Sequence, residues 1–301
     1  MDRGHPVRQR AQHAHYVKKV RAARSGGQDV RDPLSLSQFM SIITLLTDFG
    51  SQDYFVGAMK GVVLSINSGA TIVDITHEIP PQDVRAGAFN LLAAYRDFPP
   101  GTIHVAVVDP GVGSSRMGIV IDCADQFFVG PDNGLFSWIC DREKSFRAFE
   151  LSNEQFFRHP VSRTFHGRDI FAPVAAALAN GVAVEEFGPA IHELVRLESL
   201  VPEMLAGGRV EASIIHVDRF GNCITNLTPE HFGAGARLVI NGREIAAVRA
   251  FFSDGETNDY ECFGFLGSAG FLEIAVRNSS AAQILNAKRG DRVIVFPATS
   301  A

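Results

Sequence analysis

The sequence predicts an α/β N-terminal domain, with a mostly parallel sheet flanked by helices, followed by an all-β, barrel-like C-terminal domain. Two observations lead there. From Met40 to Val195 short apolar runs alternate with segments of helical spacing, the pattern of strand–helix–strand units. After Val195 that period is lost, and short apolar runs are separated by Gly, Asn and Asp turns. A chain of 301 residues is long enough to bury two cores. The expected boundaries are a tail at 1–39, the α/β domain at 40–197, a linker at 198–208 and the barrel-like domain at 209–301.

In chain order, Ile42–Leu46 is a strand and TDFGSQD its loop. Tyr54–Ser65 carries Phe55, Met59, Val62 and Val63 at helical spacing, and Thr71–Ile75 is the next strand. Pro80-Pro81 breaks the chain before a helix at Val84–Tyr95. His104–Val108, Gly118–Ile121 and Gln126–Val129 read as strands, PDNG as a turn, and Phe171–Asn180 as an Ala-rich helix. In the second domain Arg209–Val217, Arg237–Ile240, Glu244–Val248, Phe271–Ala275 and Arg292–Phe296 are the expected strands.

Hydrophobic residues at 46% and charged residues at 20% are the proportions of a soluble globular protein. The longest apolar runs fall well short of the roughly 20 residues that span a bilayer. Cys123, Cys140, Cys223 and Cys262 show no CxxC spacing, which argues for free thiols in a reducing cytoplasm. The net charge of −5 conceals an asymmetry: residues 1–39 hold eight Lys/Arg against three Asp, leaving −10 on the remainder. An acidic body disfavours nucleic acid as the main ligand. The tail lacks apolar periodicity, is expected to be disordered, and has no apolar h-region. Because the first strand follows at once, Met40 is the expected natural start.

Chemistry concentrates on strand-end loops. The run Ile103–Val108 delivers Asp109 onto a loop turned by Pro110, Gly111 and Gly113, with Arg116 seven residues after the acid. TDFGSQD offers Asp48 and Asp53, and RTFHGRD offers His166, Arg168 and Asp169 directly before a helix. Taken singly these are bland: a surface ion pair, a turn acid, a structural histidine and, for Asp169, a helix N-cap. Loops at one edge of a parallel sheet converge, which raises the joint reading. In the second domain HVDRFGNCITN groups Asp218, Phe220 and Asn222. Phe220 can stack on a planar ring and Asn222 can pair with an adenine edge, although a hairpin turn with a buried Phe fits composition slightly better. VRNSSAAQIL passes from a strand into a helix, where Asn278 and Ser279 either hold a polar ligand or cap the helix. No GxGxxG, GxxxxGK[ST], HExxH or GxSxG motif is present.

Together TDFGSQDYFVGAMKG, THEIPPQDV, VDPGVGSSR, PDNGL, TFHGRD, DRFGNCITN and SAGFLEIAVRN resemble the S-adenosyl-L-methionine (SAM) hydroxide adenosyltransferases, relatives of the fluorinating and chlorinating enzymes, from about Ile42 to Phe296. The resemblance implies hydrolysis of SAM to adenosine and methionine, without cofactor or metal, by a homotrimer with sites between subunits. It implies a catalytic set of Asp109, Arg116 and His166, with Asp48 on the ribose hydroxyls. Asp53 and Asp218 fall near the methionine amino group. Phe220 and Asn222 fall in the adenine pocket, with Arg277, Asn278 and Ser279 supplying backbone contacts. The halogenating relatives differ at the positions of Asp109, Arg116 and His166. Where fluorinases hold the methionine carboxylate with an arginine this chain has Ala269, so Ser268 or a backbone amide must serve. Two other readings remain open at this point: a metal-dependent phosphoesterase using Asp48, Asp53, Asp109, His166 and Asp169, and a SAM- or adenosine-binding sensor.

Overall fold

Ile42–Thr47 (β1) is buried over five of its six residues and takes an interior place in a sheet, paired on both sides. The computed structural model describes residues 41–233, 235–245, 248–249 and 261–297. These fall into two units that divide between Leu197 and Glu198. The expectations for residues 1–39 lie outside the described residues.

In the first unit β1 leads through helix α1 (Phe55–Ile66) to β2 (Thr71–Thr76), and through α2 (Val84–Ala94) to β3 (Ile103–Val107). Then come the hairpin β4 (Gly118–Cys123) and β5 (Gln126–Pro131), α3 (Ser137–Glu143), β6 (Phe146–Glu150), α4 (Ala172–Ala179) and β7 (Ala190–Ile191). The strand order is β2-β1-β3-β5-β4-β6-β7. Side chains alternate across β1 as the strand period requires. Ile43 and Leu45 join Met59 and Val63 of α1 and Val174 of α4 in one core, whereas Leu46 approaches Gly87 of α2 from the opposite face. Helices therefore cover both faces.

The sheet is mixed rather than mostly parallel. β2, β1, β3 and β5 run parallel, but β4 pairs antiparallel with both β5 and β6, and β6 antiparallel with β7. The cause is local. Ala124 and Asp125, at φ 55° and 58°, close a two-residue turn between β4 and β5, and a tight hairpin can only join antiparallel strands.

The second unit holds a nine-stranded, almost wholly antiparallel sheet. β9 (Val210–Val217) pairs with β10 (Cys223–Thr225) on one side and β16 (Arg292–Phe296) on the other. Beyond β16 lie β11 (Arg237–Ile240) and β12 (Arg243–Ile245), and beyond β10 lie β15 (Leu272–Val276), β14 (Cys262–Leu266) and β13 (Val248–Arg249). Its two arms curl until β12 and β14 come close, giving a nearly closed barrel around Ile214, Leu238, Leu272, Ile274 and Val293. Part of the stretch expected to link the domains, Glu203–Met204 (β8), pairs with β9 as a strand. Helix α5 (Ala281–Leu285) follows β15, and its N-cap is Ser280, whose hydroxyl accepts from Gln283 N–H. No helix among the described residues is long and apolar enough to cross a membrane.

Candidate active site

The sheet order reverses direction at β1, since the chain goes next to β2 on one side and then to β3 on the other. Ligands gather outside the carboxyl ends of strands at such a switch point. Thr47 and Val107 are register partners at the ends of β1 and β3, so the loops bearing Asp48 and Asp109 leave the sheet side by side.

Asp109 and Arg116 make a forked pair across the loop after β3. Arg116 Nε donates to Asp109 Oδ1 at 2.9 Å, and its second terminal nitrogen donates to Asp109 Oδ2. Both side chains are nearly buried, at 4% exposure for Asp109 and 10% for Arg116, which removes the solvated-surface-pair reading. The same Arg116 nitrogen lies 2.8 Å from His166 Nδ1, and the guanidinium sits over the Phe171 ring at 5.4 Å. An arginine can only donate, so His166 Nδ1 is the acceptor and the neutral ring carries its hydrogen on Nε2. Burial first, and then the adjacent Arg116 charge, hold the His166 pKa below its ordinary value, consistent with that neutral form.

Backbone proximity joins the two loops. Gly113 has φ +79°, and a Cβ there would stand 2.3 Å from the carbonyl oxygen of Arg163. Only glycine permits that approach, which brings the loop after β3 against the segment that carries His166.

His166 opens a turn of π-helix, Gly167–Phe171, that runs into α4. Asp169 in that turn is not an N-cap. It is fully buried, with Oδ1 accepting from Arg158 at 3.0 Å and Arg168 at 2.7 Å, and Oδ2 from Ser162 N–H at 2.9 Å. Burial alone would raise its pKa, but these donors hold it below the ordinary carboxylate value. Asp169 therefore anchors the His166 segment, and Arg168 is its partner.

Asp48 is half-buried, and its Oδ2 accepts from Gln82 N–H at 2.8 Å. Asp53 is exposed on the same loop. Among the described residues no group of three or more His, Cys, Asp or Glu converges as a metal site, and Asp109 and Asp169 each face arginines.

The second unit has an open groove of about 820 Å³ whose lining includes Asp218, Phe220, Asn222, Phe265, Ser268, Glu273, Val276, Asn278 and Ser279. Phe220 is 77% exposed, so it is not the buried residue of a hairpin turn. Asp218 turns inward on its own loop: Oδ1 accepts from the backbone of Phe220 and Asn222, and Oδ2 from the Asn222 amide. That leaves the Asn222 amide oxygen and one amide hydrogen for a ligand. Asn278 and Ser279 line the groove while Ser280 caps the helix. Arg277 is exposed and outside that lining.

Residue-type reasoning passed over Glu273. It is the one charged residue in the apolar strand LEIAV, and its carboxyl lies across Gly267, where a Cβ would meet Oε1 at 1.8 Å. Burial, with Asp218 nearby, raises its pKa. A lone acid on a barrel strand is the signal that could have found it.

Comparison with known proteins gives this geometry a lineage. The SAM hydroxide adenosyltransferase N-terminal domain matches residues 43–188, and the C-terminal domain of the same name matches residues 212–294. The chain belongs to the SAM hydroxide adenosyltransferase family. A curated relative from Methanocaldococcus jannaschii, named (R)-S-adenosyl-L-methionine hydrolase, is 38% identical over 85% of this chain and 96% of its own. A protein of the same name from Thermus thermophilus is 38% identical over 83% and 98%. A fluorinase from an Actinoplanes species is 28% identical over 85% and 98%. Among solved structures, a conserved protein from Thermotoga maritima superposes with a TM-score of 0.78 at 37% identity, over 84% of this chain and 99% of that one. For this adenosyltransferase-family chain, identity to the two hydrolases thus exceeds identity to that fluorinase by ten percentage points.

Proposed function

We propose that this protein hydrolyses (R)-S-adenosyl-L-methionine to adenosine and L-methionine, with Asp109, Arg116 and His166 acting on the water. The observation that carries the reading is the near-buried Asp109–Arg116–His166 set at the switch point of the first unit, in a chain of the hydroxide adenosyltransferase family.

The sulfonium is a leaving group that departs without a proton, so the enzyme has only to place and activate the nucleophile. Water oxygen attacks C5′ in line. The new C5′–O bond forms as the C5′–S bond breaks, and its electron pair returns to sulfur as the thioether of methionine. Aligning two bound reactants supplies up to roughly 7–11 kcal/mol in well-oriented cases. The proton of the water passes to Asp109, whose oxygens keep lone pairs beyond those that meet Arg116. His166 orients rather than accepts, because Nδ1 is engaged by Arg116 and Nε2 already bears hydrogen. Arg116 stabilises developing hydroxide by its charge.

Asp48 is assigned to the ribose hydroxyls and Asp53 to the methionine amino group. Phe220 and Asn222 are assigned to adenine, with Arg277, Asn278 and Ser279 beside them, and Ser268 to the methionine carboxylate that Ala269 cannot reach. Asp218 supports Asn222 and, with Glu273, makes the groove hospitable to a cationic substrate. No cofactor or metal is needed, and turnover should survive EDTA.

Incubation with resolved SAM diastereomers, followed by chromatography, tests the reading. Adenosine and methionine in equal amounts from the (R) form, above a no-enzyme control, is the expected result. Binding of SAM without turnover would instead make the protein a sensor, and a 5′-halo-nucleoside formed in fluoride or chloride would make it a halogenase. Asp109→Ala should lower kcat by about 10²–10⁴, the range of a general base, with a much smaller change in KM.

A further inference from the structure

Behind the Asp48 loop runs a chain of polar contacts that no step above uses. Thr47, the last residue of β1, is fully buried, and its hydroxyl accepts from Phe49 N–H at 3.2 Å. The hydroxyl lies 2.9 Å from Nδ1 of His77, itself only 9% exposed. His77 Nε2 stands 3.1 Å from Asp74 Oδ1, close enough for attraction but short of an aligned hydrogen bond. Asp74 Oδ2 accepts from Lys60 Nζ at 2.5 Å. Two backbone links close the frame: Gly50 N–H donates to the His77 carbonyl at 2.8 Å, and Gln82 N–H donates to Asp48 itself.

The Asp74 carboxylate only accepts, so the ring hydrogen of His77 lies on Nε2 facing it, and Nδ1 accepts from the Thr47 hydroxyl, whose oxygen still accepts from Phe49 N–H. Lys60 holds Asp74 from the far side. The sequence Asp–His–Thr is that of a nucleophile relay, but a hydroxyl with no exposed surface cannot reach a substrate. What the relay can reach is the backbone of Phe49 and Gly50, the two residues that follow Asp48.

We propose that His77 and Thr47 are positioning residues that fix the Asp48 end of the loop, and so set affinity for the ribose half of the substrate without entering the chemical step. The inference rests on the reading that Asp48 holds the ribose hydroxyls. A buried polar group with one partner removed is costly, and buried networks hold their members in one geometry. The contacts of Thr47 and His77 both fall at the Asp48 end of the loop, on Phe49 and Gly50, while Asp53 stands at the other end, two residues before α1. Loosening that first end should therefore weaken every ligand that carries ribose and spare ligands that lack it.

The test compares Thr47→Val, His77→Gln and His77→Asn in the full chain. An asparagine amide falls near the Nδ1 position and keeps the link to Thr47, whereas glutamine reaches only the Nε2 position. Thr47→Val and His77→Gln should raise KM for SAM and Kd for adenosine together by roughly tenfold, the scale of one lost buried hydrogen bond. In both variants kcat should stay within about threefold and Kd for methionine should not move, while His77→Asn should bind adenosine as wild type does. Parallel weakening of adenosine and methionine, or a fall in kcat at constant KM, overturns the positioning role. Unchanged adenosine affinity in Thr47→Val and His77→Gln overturns it as well. Failure of the functional reading is a separate result, because then the wild-type protein forms no adenosine.

Discussion

His166 is the residue whose state decides how the candidate site works. Its neutral ring accepts from Arg116 at Nδ1, and burial with the Arg116 charge keeps its pKa below the ordinary histidine value. Protonation would put a hydrogen on the nitrogen that Arg116 needs as an acceptor, setting two cations against each other. The working form therefore persists on the alkaline side and is lost as pH falls through the lowered pKa. The profile of kcat/KM should thus be flat around neutrality and fall only below the ordinary histidine value of 6.5. His166→Asn, which keeps an acceptor near Nδ1 but cannot titrate, should lose that acid limb. A limb centred at or above 6.5 in the wild type, or one retained in His166→Asn, would assign it to another group.

At the scale of elements, the parallel part of the first sheet was legible because each strand there is followed by an apolar 3.6-residue period or a proline break. The antiparallel part was not. The β4–β5 turn uses Ala124 and Asp125 at positive φ where Asn-Gly would have announced a hairpin, so nothing marked the reversal. β6, Phe146–Glu150, places Arg147 and Glu150 among apolar residues and follows a helix of seven residues, too short for its period to stand out. The candidate site divides the same way. Asp109, Arg116 and His166 were legible as polar groups at strand-end loops, whereas Asp169 looked like a cap because its partner Arg158 is eleven residues away. Element geometry also yields a test at Gly113, whose positive φ and contact with the Arg163 carbonyl leave no room for a methyl group. Gly113→Ala should push the loop after β3 away from the His166 segment. The expected outcome is a loss of about 1–3 kcal/mol in stability, read by thermal unfolding, together with a fall in kcat of at least tenfold. Full activity in that variant would mean that the loop works without touching the segment.

At the scale of the whole molecule, the two units keep separate cores, one built on a helix-covered mixed sheet and one inside a curled antiparallel sheet. Large aromatic side chains stand exposed beside candidate binding groups in each: Tyr54 at 67%, next to Asp53, and Phe220 at 77%, two residues from Asp218. Exposed aromatics flanking polar groups mark surfaces that ligands or other chains cover. Assembly is the whole-molecule counterpart of the functional reading, and we propose that the protein works as a homotrimer. Light scattering coupled to gel filtration should return three times the 32.6 kDa chain mass. If the trimer is the working form, specific activity should hold constant over a range of enzyme concentration and then fall on dilution, in step with the loss of trimer mass. Replacing Tyr54 by Glu, which would bury a charge in any interface formed there, should move that fall to higher concentration. A protein that scatters as a monomer and keeps constant specific activity on dilution would place the complete site within one chain.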